Sequence, residues 1–397
     1  MKMRILFVFE KYLPVTDANI NCIDNLCRYL MSKGVDVSVL TIKHCPSLQD
    51  EEVINGYRVH RVEKFSFFQE FIVKSRRKFL GHYYVSFQPL VEKLVESFKN
   101  NAFDIFVPVI NPFSTAASVL KAYEKTNGEI KFIPHLLDPI SSNASHKHSD
   151  KMRKYELEMY KHSRQSFVTD LIYAENEHNS FKKYLDKMTI LPFPNFRKLE
   201  VISTEDEVQY NEAHINCAFV GFLYHKIRDS RFLLEVLNRC KDKNIILHII
   251  GGMHGTDENI EKYKEILGDR LVIHGLHSPQ SAINAMMNAD ILVNIGNSVI
   301  NQVPSKIFDY ISSGKPIINT IKSESCPTLK YLKDYPCVLN MNEQEAISNE
   351  IVTVFETFCC ENRNSQIEFD ELKVLYATHT LASVGDKFIR VIKEAIN

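Results

Sequence analysis

No stretch of this 397-residue sequence reaches the roughly 18 apolar residues that a membrane-spanning helix needs. The nearest approach, Ile5-Leu6-Phe7-Val8-Phe9, is cut short by Glu10-Lys11. No small-residue cleavage site follows, so the run reads as a buried first strand rather than a secretory leader. A charge excess is also lacking, since 48 basic residues face 49 acidic ones and the net charge is −1. That argues against a dedicated nucleic-acid binder. The nine cysteines are odd in number and scattered. Cys22 and Cys27 are not at metal-ligand spacing, and the adjacent Cys359-Cys360 pair is no framework. A reduced, cytosolic compartment fits this usage. Gly251-Gly252-Met253-His254-Gly255 is not a Gly-x-Gly-x-x-Gly turn, which sets hydride chemistry aside. Ser145-His146-Lys147-His148 offers two imidazoles and no third ligand at a recognisable spacing, so it reads as a solvated loop.

What is present is alternation. Hydrophobic residues make up 45% and charged residues 24%, enough for ordinary interiors, and the length favours two domains. In the first half, short apolar runs at Arg4–Phe9, Val35–Thr41, Asp104–Ile110, Ile130–His135, Ser166–Thr169 and Met188–Pro192 are separated by helical stretches such as Asn21–Ser32. Pro192, Pro194 and the acidic run to Glu207 read as a linker, after which the alternation restarts. Strands are expected at Ala218–Val220, Ile245–Ile250, Leu271–His274, Ile291–Asn294, Pro316–Asn319 and Cys337–Leu339. Leu381–Ile396 is an amphipathic helix with no strand of its own. The pattern is α/β, with two doubly wound, Rossmann-like domains and ligands beyond the carboxyl ends of the strands.

The richest block is Val303-Pro304-Ser305-Lys306-Ile307-Phe308-Asp309-Tyr310, continuing to Gly314-Lys315-Pro316. Pro304 suits a first helical turn, and Ile307, Tyr310 and Ile311 share one face. Gly314 and Pro316 end the helix. Its start would bring backbone N–H groups, the Ser305 hydroxyl and the Lys306 ammonium together, a place for an anion such as a diphosphate. An ordinary surface helix would show the same local features.

This block, with Val220-Gly221…Arg228…Leu233-Leu234, Ile249-Ile250-Gly251-Gly252 and His274-Gly275, resembles the GT-B-fold glycosyltransferases. Within them it is similar to the large, family-4-like retaining group that uses nucleotide-sugar donors. The resemblance spans essentially the whole chain. It implies an acceptor-binding domain over 1–193, a linker over 194–214 and a nucleotide-sugar-binding domain over 215–360. It also implies C-terminal helices over 361–397 that cross back to the first domain, and a cleft between the domains where transfer occurs.

The resemblance assigns roles. Lys306 and Arg228 would neutralise the leaving diphosphate, with Arg231 as fallback for Arg228, and Ser305 and Gly221 would line the same site. Asp309 would accept hydrogen bonds from the donor ribose. Asn301 stands where many members carry Glu, so it supplies an amide and no charge; Asn297, in the same loop, could also face the donor. His135 resembles the histidine placed beside the reacting sugar, although a lone strand-end His is more often structural. The usual Gly-Gly after the first strand is replaced by Asp17-Ala18-Asn19; Asp17 or Asn19 would bind acceptor hydroxyls, or Asn19 would cap a helix. Asp138 is a further acceptor contact. No Asp-x-Asp motif occurs, and two cations with a helix terminus make a metal unnecessary, so no cofactor is expected.

The expected function is therefore transfer of a sugar from a nucleotide-diphosphate-sugar to a hydroxyl acceptor. The acceptor would be a glycan or lipid-linked glycan of bacterial surface polysaccharide. The rival readings are a nucleotide-sugar epimerase of the same architecture and a non-catalytic binding partner. Lys64–Pro89 mixes aromatics with Lys74, Arg76, Arg77 and Lys78. It is either a helix packed on the first domain or a segment lying on an anionic membrane. The expected location is cytoplasmic, with the second alternative placing the protein peripherally at the inner face of a membrane.

Overall fold

The computed structural model describes residues 2–15, 17–63, 86–110, 114–142, 149–224, 228–254 and 258–396. Most of the Lys64–Pro89 segment and the whole Ser145–His148 cluster lie outside them.

Two compact units form, one from Met1–Pro194 with Thr378–Asn397 and one from Asn195–Ala377. In the first, apolar β1 (Arg4–Val8) lies between β2 (Asp36–Ile42) and β5 (Ile105–Pro108), with Phe7 opposite both Val39 and Val107. A strand flanked by parallel partners and covered on both faces needs apolar residues throughout. The order is β3-β4-β2-β1-β5, where β3 (Glu51–Ile54) and β4 (Tyr57–Val62) form an antiparallel hairpin at the edge. Parallel bridges Phe106–Phe132 and Val109–His135 continue the sheet towards β6 (His135–Leu136), β7 (Ser166–Val168) and β8 (Met188–Ile190). Leu6, Val8, Phe106, Leu94 and Leu120 pack on one face of this sheet.

The Leu381–Ile396 helix belongs to this first unit. Phe388 stacks on Phe7 and Phe167 at 5.8 and 4.7 Å between ring centroids. Tyr29 donates its hydroxyl to Asp386 at 2.8 Å.

The second unit holds one six-stranded sheet, parallel throughout. Its strands are β9 (Ile215–Val220), β11 (Ile245–Ile250), β13 (Leu271–Gly275), β14 (Ile291–Ile295), β15 (Ile317–Ile321) and β16 (Val338–Asn342). A small pair, β10 (Leu223–Tyr224) and β12 (Met253–His254), extends beyond it. The order β13-β11-β9-β14-β15-β16 is the 3-2-1-4-5-6 winding of dinucleotide-binding sheets. Phe219, Leu233, Leu247, Val293 and Phe355 form its core.

Residues 195–214, expected as a linker, strap along this unit. Phe196 packs on Phe369, the Ile202 amide reaches Asn284, and the Tyr210 hydroxyl reaches the Ala285 carbonyl at 3.0 Å. All nine cysteines are free thiols. No helix among the described residues is long and apolar enough to cross a membrane.

Candidate functional site

The winding direction of the second sheet reverses between β9 and β14, and such a reversal opens a crevice at the carboxyl ends. Here the two strands pair only at Ile291–Cys217 and Leu292–Ala218. Beyond that they part, and a side chain satisfies the freed backbone. The Val220 N–H donates to the Tyr310 hydroxyl at 2.8 Å, and that hydroxyl lies 3.3 Å from the Val220 carbonyl. Tyr310 is fully buried, and burial pushes its phenol up, so it serves as a neutral hydrogen-bonding wedge.

Around this opening the structure gathers Gly221, Arg228 and Asn297. Arg228 donates from Nε to Asn297 Oδ1 at 3.0 Å and from Nη1 to the Phe222 carbonyl at 3.2 Å. A Cβ at Gly221 would lie 3.6 Å from Nη1. Burial pulls the Arg228 pKa below its ordinary value, with Tyr310 and Tyr224 opposing. Both side-chain hydrogen bonds go to neutral oxygens, and among the described residues no carboxylate pairs with the guanidinium. A cation placed so, with burial disfavouring its charge, has the chemistry to receive an anion. Arg231, the fallback, pairs with Asp229 at 2.6 Å and its side chain is 66% exposed. Arg228 is the inward one.

The Lys306–Ser313 helix carries the rest. It begins two residues after Pro304, with Ser305 as a buried cap residue whose side chain makes no capping bond. The Ile307 and Phe308 N–H groups turn back to the carbonyls of Pro304 and Ser305. The expected array of free amides is therefore smaller, and those of Ser305 and Lys306 are the ones left to face an anion. Lys306 Nζ sits 3.3 Å from Asp309 Oδ2, and Asp309 is buried. The two groups expected to divide diphosphate and ribose between them thus begin as an ion pair within one turn. Gly314 ends the helix at φ +72°, where a Cβ would fall 2.0 Å from the Ile367 carbonyl oxygen. Asn301 lies partly buried in the turn between β14 and this helix.

In the first unit, Asp17 and not Asn19 caps the Ala18–Ser32 helix, accepting from the Ile20 N–H at 2.8 Å. Desolvation by the surrounding chain raises its carboxyl above the ordinary value, Asp138 adding to the effect and the Ile20 amide opposing it. Asn19 is buried and donates to Asp138 Oδ2 at 3.2 Å, so these three residues do come together. Ser114 donates to the Glu10 carboxylate nearby in sequence to β1 and β5.

His135 departs from expectation. It opens the short β6 ladder rather than ending a strand, and it is 1% exposed. Its ring meets Phe167 edge-on, and neither nitrogen has a hydrogen-bond partner. Burial pulls its pKa down to about 3, so it is neutral. In this conformation it faces its own unit's interior instead of a solvent-filled space.

Sequence reasoning missed the Tyr310 hydroxyl, counted only as an apolar face, and Glu10, whose partner lies 104 residues away. No local signal marks either contact. Among the described residues, no group of three or more His, Cys, Asp or Glu is arranged to hold a metal ion.

No protein-family model matches the chain, and no curated protein matches it in sequence. Solved structures do match it in shape. Anabaena HepE, solved in complex with UDP, has a TM-score of 0.68 at 11% identity, over 99% of this chain and 100% of that one. A glycosyltransferase from Rickettsia africae ESF-5 has a TM-score of 0.67 at 14% identity, over 100% and 99%. The lipopolysaccharide outer core galactosyltransferase WaaB, in its apo form, has 0.60 at 14%, over 99% of each. The fold is that of GT-B glycosyltransferases.

Proposed function

We propose that this protein is a glycosyltransferase that moves a sugar from a nucleotide-diphosphate-sugar to a hydroxyl acceptor. The observation that carries the reading is Arg228, held by two neutral oxygens at the switch point of a nucleotide-binding sheet, with Lys306 on the adjoining helix. Arg228 and Lys306 would stabilise the charge that develops on the leaving nucleoside diphosphate. Ser305, Gly221 and Asn297 would line the same donor site, Asn301 would meet the sugar, and Asp309 would accept from the ribose hydroxyls.

The reaction in this reading retains anomeric configuration and runs on these cations without a metal. Asp17, Asn19 and Asp138 would hold acceptor hydroxyls. His135, neutral through burial, can enter only as a hydrogen-bonding group and not as a proton carrier. The UDP bound to HepE and the lipopolysaccharide on which WaaB acts support a uridine donor and a bacterial surface glycan as acceptor.

Incubation with a panel of nucleotide-sugars tests this. Slow release of nucleoside diphosphate, accelerated by a glycan acceptor, is the expected result. Isomerised sugar without release would mark an epimerase instead, and binding with neither would mark a non-catalytic partner. The anomeric configuration of the product, read by proton NMR, checks retention.

A further inference from the structure

Behind Arg228 lies a hydrogen-bonded chain that runs across three strands. Asn297, which accepts from Arg228 Nε, is 7% exposed and follows Gly296 directly. The Gly296 N–H donates to Thr320 Oγ1 at 3.3 Å. Thr320, 1% exposed at the end of β15, donates its own proton to Glu343 Oε1 at 2.6 Å. The hydroxyl is thus saturated in a fixed sense, accepting from the turn and donating to the carboxylate. The turn and β15 also touch closely: a Cβ at Gly296 would fall 2.5 Å from the Thr320 carbonyl oxygen.

Glu343 is itself anchored. Its N–H donates to the Ile321 carbonyl at 2.8 Å, and its Oε2 lies 3.6 Å from Lys322 Nζ. The charged neighbours facing it are Lys322, which favours the carboxylate, and Asp229, which opposes it. Asp229 is the residue after Arg228, so the far end of the chain comes back to the neighbour of the residue it started from. A largely desolvated carboxylate is costly, and one kept to orient a hydroxyl, which contacts an amide, has a geometric task.

We infer that Thr320 and Glu343 are positioning residues for Arg228: they lock the Gly296–Asn297 turn so that Asn297 holds the guanidinium in its diphosphate-facing plane. This rests on the donor-site reading above, and it adds a part that touches neither donor nor acceptor. Arg228 is made selective for a diphosphate by rigidity, because a guanidinium held at Nε and Nη1 cannot swing to follow a differently placed anion.

The test is a double-mutant cycle read by isothermal titration of the full chain with UDP, ADP and GDP. Thr320→Val keeps the shape and removes the hydroxyl; it should weaken binding of the preferred diphosphate about five- to tenfold, the scale of one buried hydrogen bond. Thr320→Ser and Glu343→Gln keep the chain of donors and acceptors and should stay within about twofold of wild type. In an Arg228→Ala background, Thr320→Val should then cost nothing further. Equal losses in both backgrounds would overturn the inference, since the hydroxyl would be acting on the unit at large. Loss of binding in Thr320→Ser or Glu343→Gln as great as in Thr320→Val would overturn it too. Failure of the donor reading looks different: wild type would bind none of the three diphosphates, or Arg228→Ala would bind them as wild type does.

Discussion

The two units solve one topological problem with opposite chemistry. Each sheet has a central first strand and reverses its winding beside it, between β1 and β5 in one and between β9 and β14 in the other. At the second reversal the chain places a guanidinium between neutral oxygens and an ammonium at a helix start. At the first it places carboxylates with neutral partners: Glu10 with Ser114, Asp138 with Asn19, and Asp17 on a helix cap. A guanidinium bonded to neutral oxygens, beside an ammonium that shares its charge with one carboxylate, suits a diphosphate. Carboxylates that accept from hydroxyl and amide donors suit hydroxyls. The lesson is that the winding makes the place, and the residues at the strand ends decide the sign of what it takes.

The sharpest way to break this contrast is to remove the cations. Lys306→Ala or Arg228→Ala should each lower turnover, measured as nucleoside diphosphate release, by about two to three orders of magnitude. Turnover close to wild type in either variant would end its role in the reaction.

A second comparison uses two glycines that both end helices at positive φ. At Gly34 nothing lies within 4 Å of a built Cβ, whereas at Gly314 the Ile367 backbone blocks it. Gly34→Ala should cost about 1 kcal/mol, the backbone term alone. Gly314→Ala should cost about 2 kcal/mol or more, because the loop that carries Ile367 must also move. Urea unfolding of both variants decides it; equal losses would mean that the contact relaxes freely.

Acid should expose the first unit next. The His135 pKa is lowered from 6.5 to about 3 by burial. The unfolded chain therefore binds the proton first, and the stability this neutral imidazole brings is present above pH 6.5 and lost as pH falls towards 3. The loss should approach about 1.4 kcal/mol per pH unit within that window. Glu156, raised to about 7 by burial, works the other way, being favourable below pH 4.5 and losing its contribution as pH rises through 7. In His135→Phe the slope of stability between pH 4 and 6 should fall by about one proton; an unchanged slope would place the imidazole in contact with water. The smallest effect belongs to Arg231→Ala. Its exposed pair with Asp229 should change donor release less than about twofold, and a larger loss would blur the distinction from Arg228.

Legibility followed locality. Ile245–Ile250 and Leu381–Ile396 were readable to the residue, because one is a pure apolar run and the other a clean amphipathic period. The helix after β1 starts three residues before its apolar pattern does, since Asp17 supplies the cap and Ala18 the first turn. The β3–β4 hairpin went unread although its signal is present. Asn55-Gly56 is a two-residue turn with both residues at positive φ, flanked by strands whose charged residues mask their alternation. The Asn349–Asn362 helix, capped by Ser348, was passed over in the same way. At the site, the block around Lys306 announced itself through spacing. The contacts that arm it did not, because Tyr310 and Val220 are 90 residues apart and Arg228 and Asn297 are 69 apart. Pairings at such distances are set by the winding of the sheet and leave no trace in local pattern.

The return of the Leu381–Ile396 helix makes the second unit an insertion within the first. Residues 195–377 are contiguous and can complete their sheet as soon as they have been synthesised. The first unit cannot. Phe7 and Phe167 wait for Phe388, and the bare face of Gly385 must reach the Tyr29 ring before the early strands are covered. During synthesis the half made second is thus the one able to finish first, and the half made first stays open until the last turns of helix arrive.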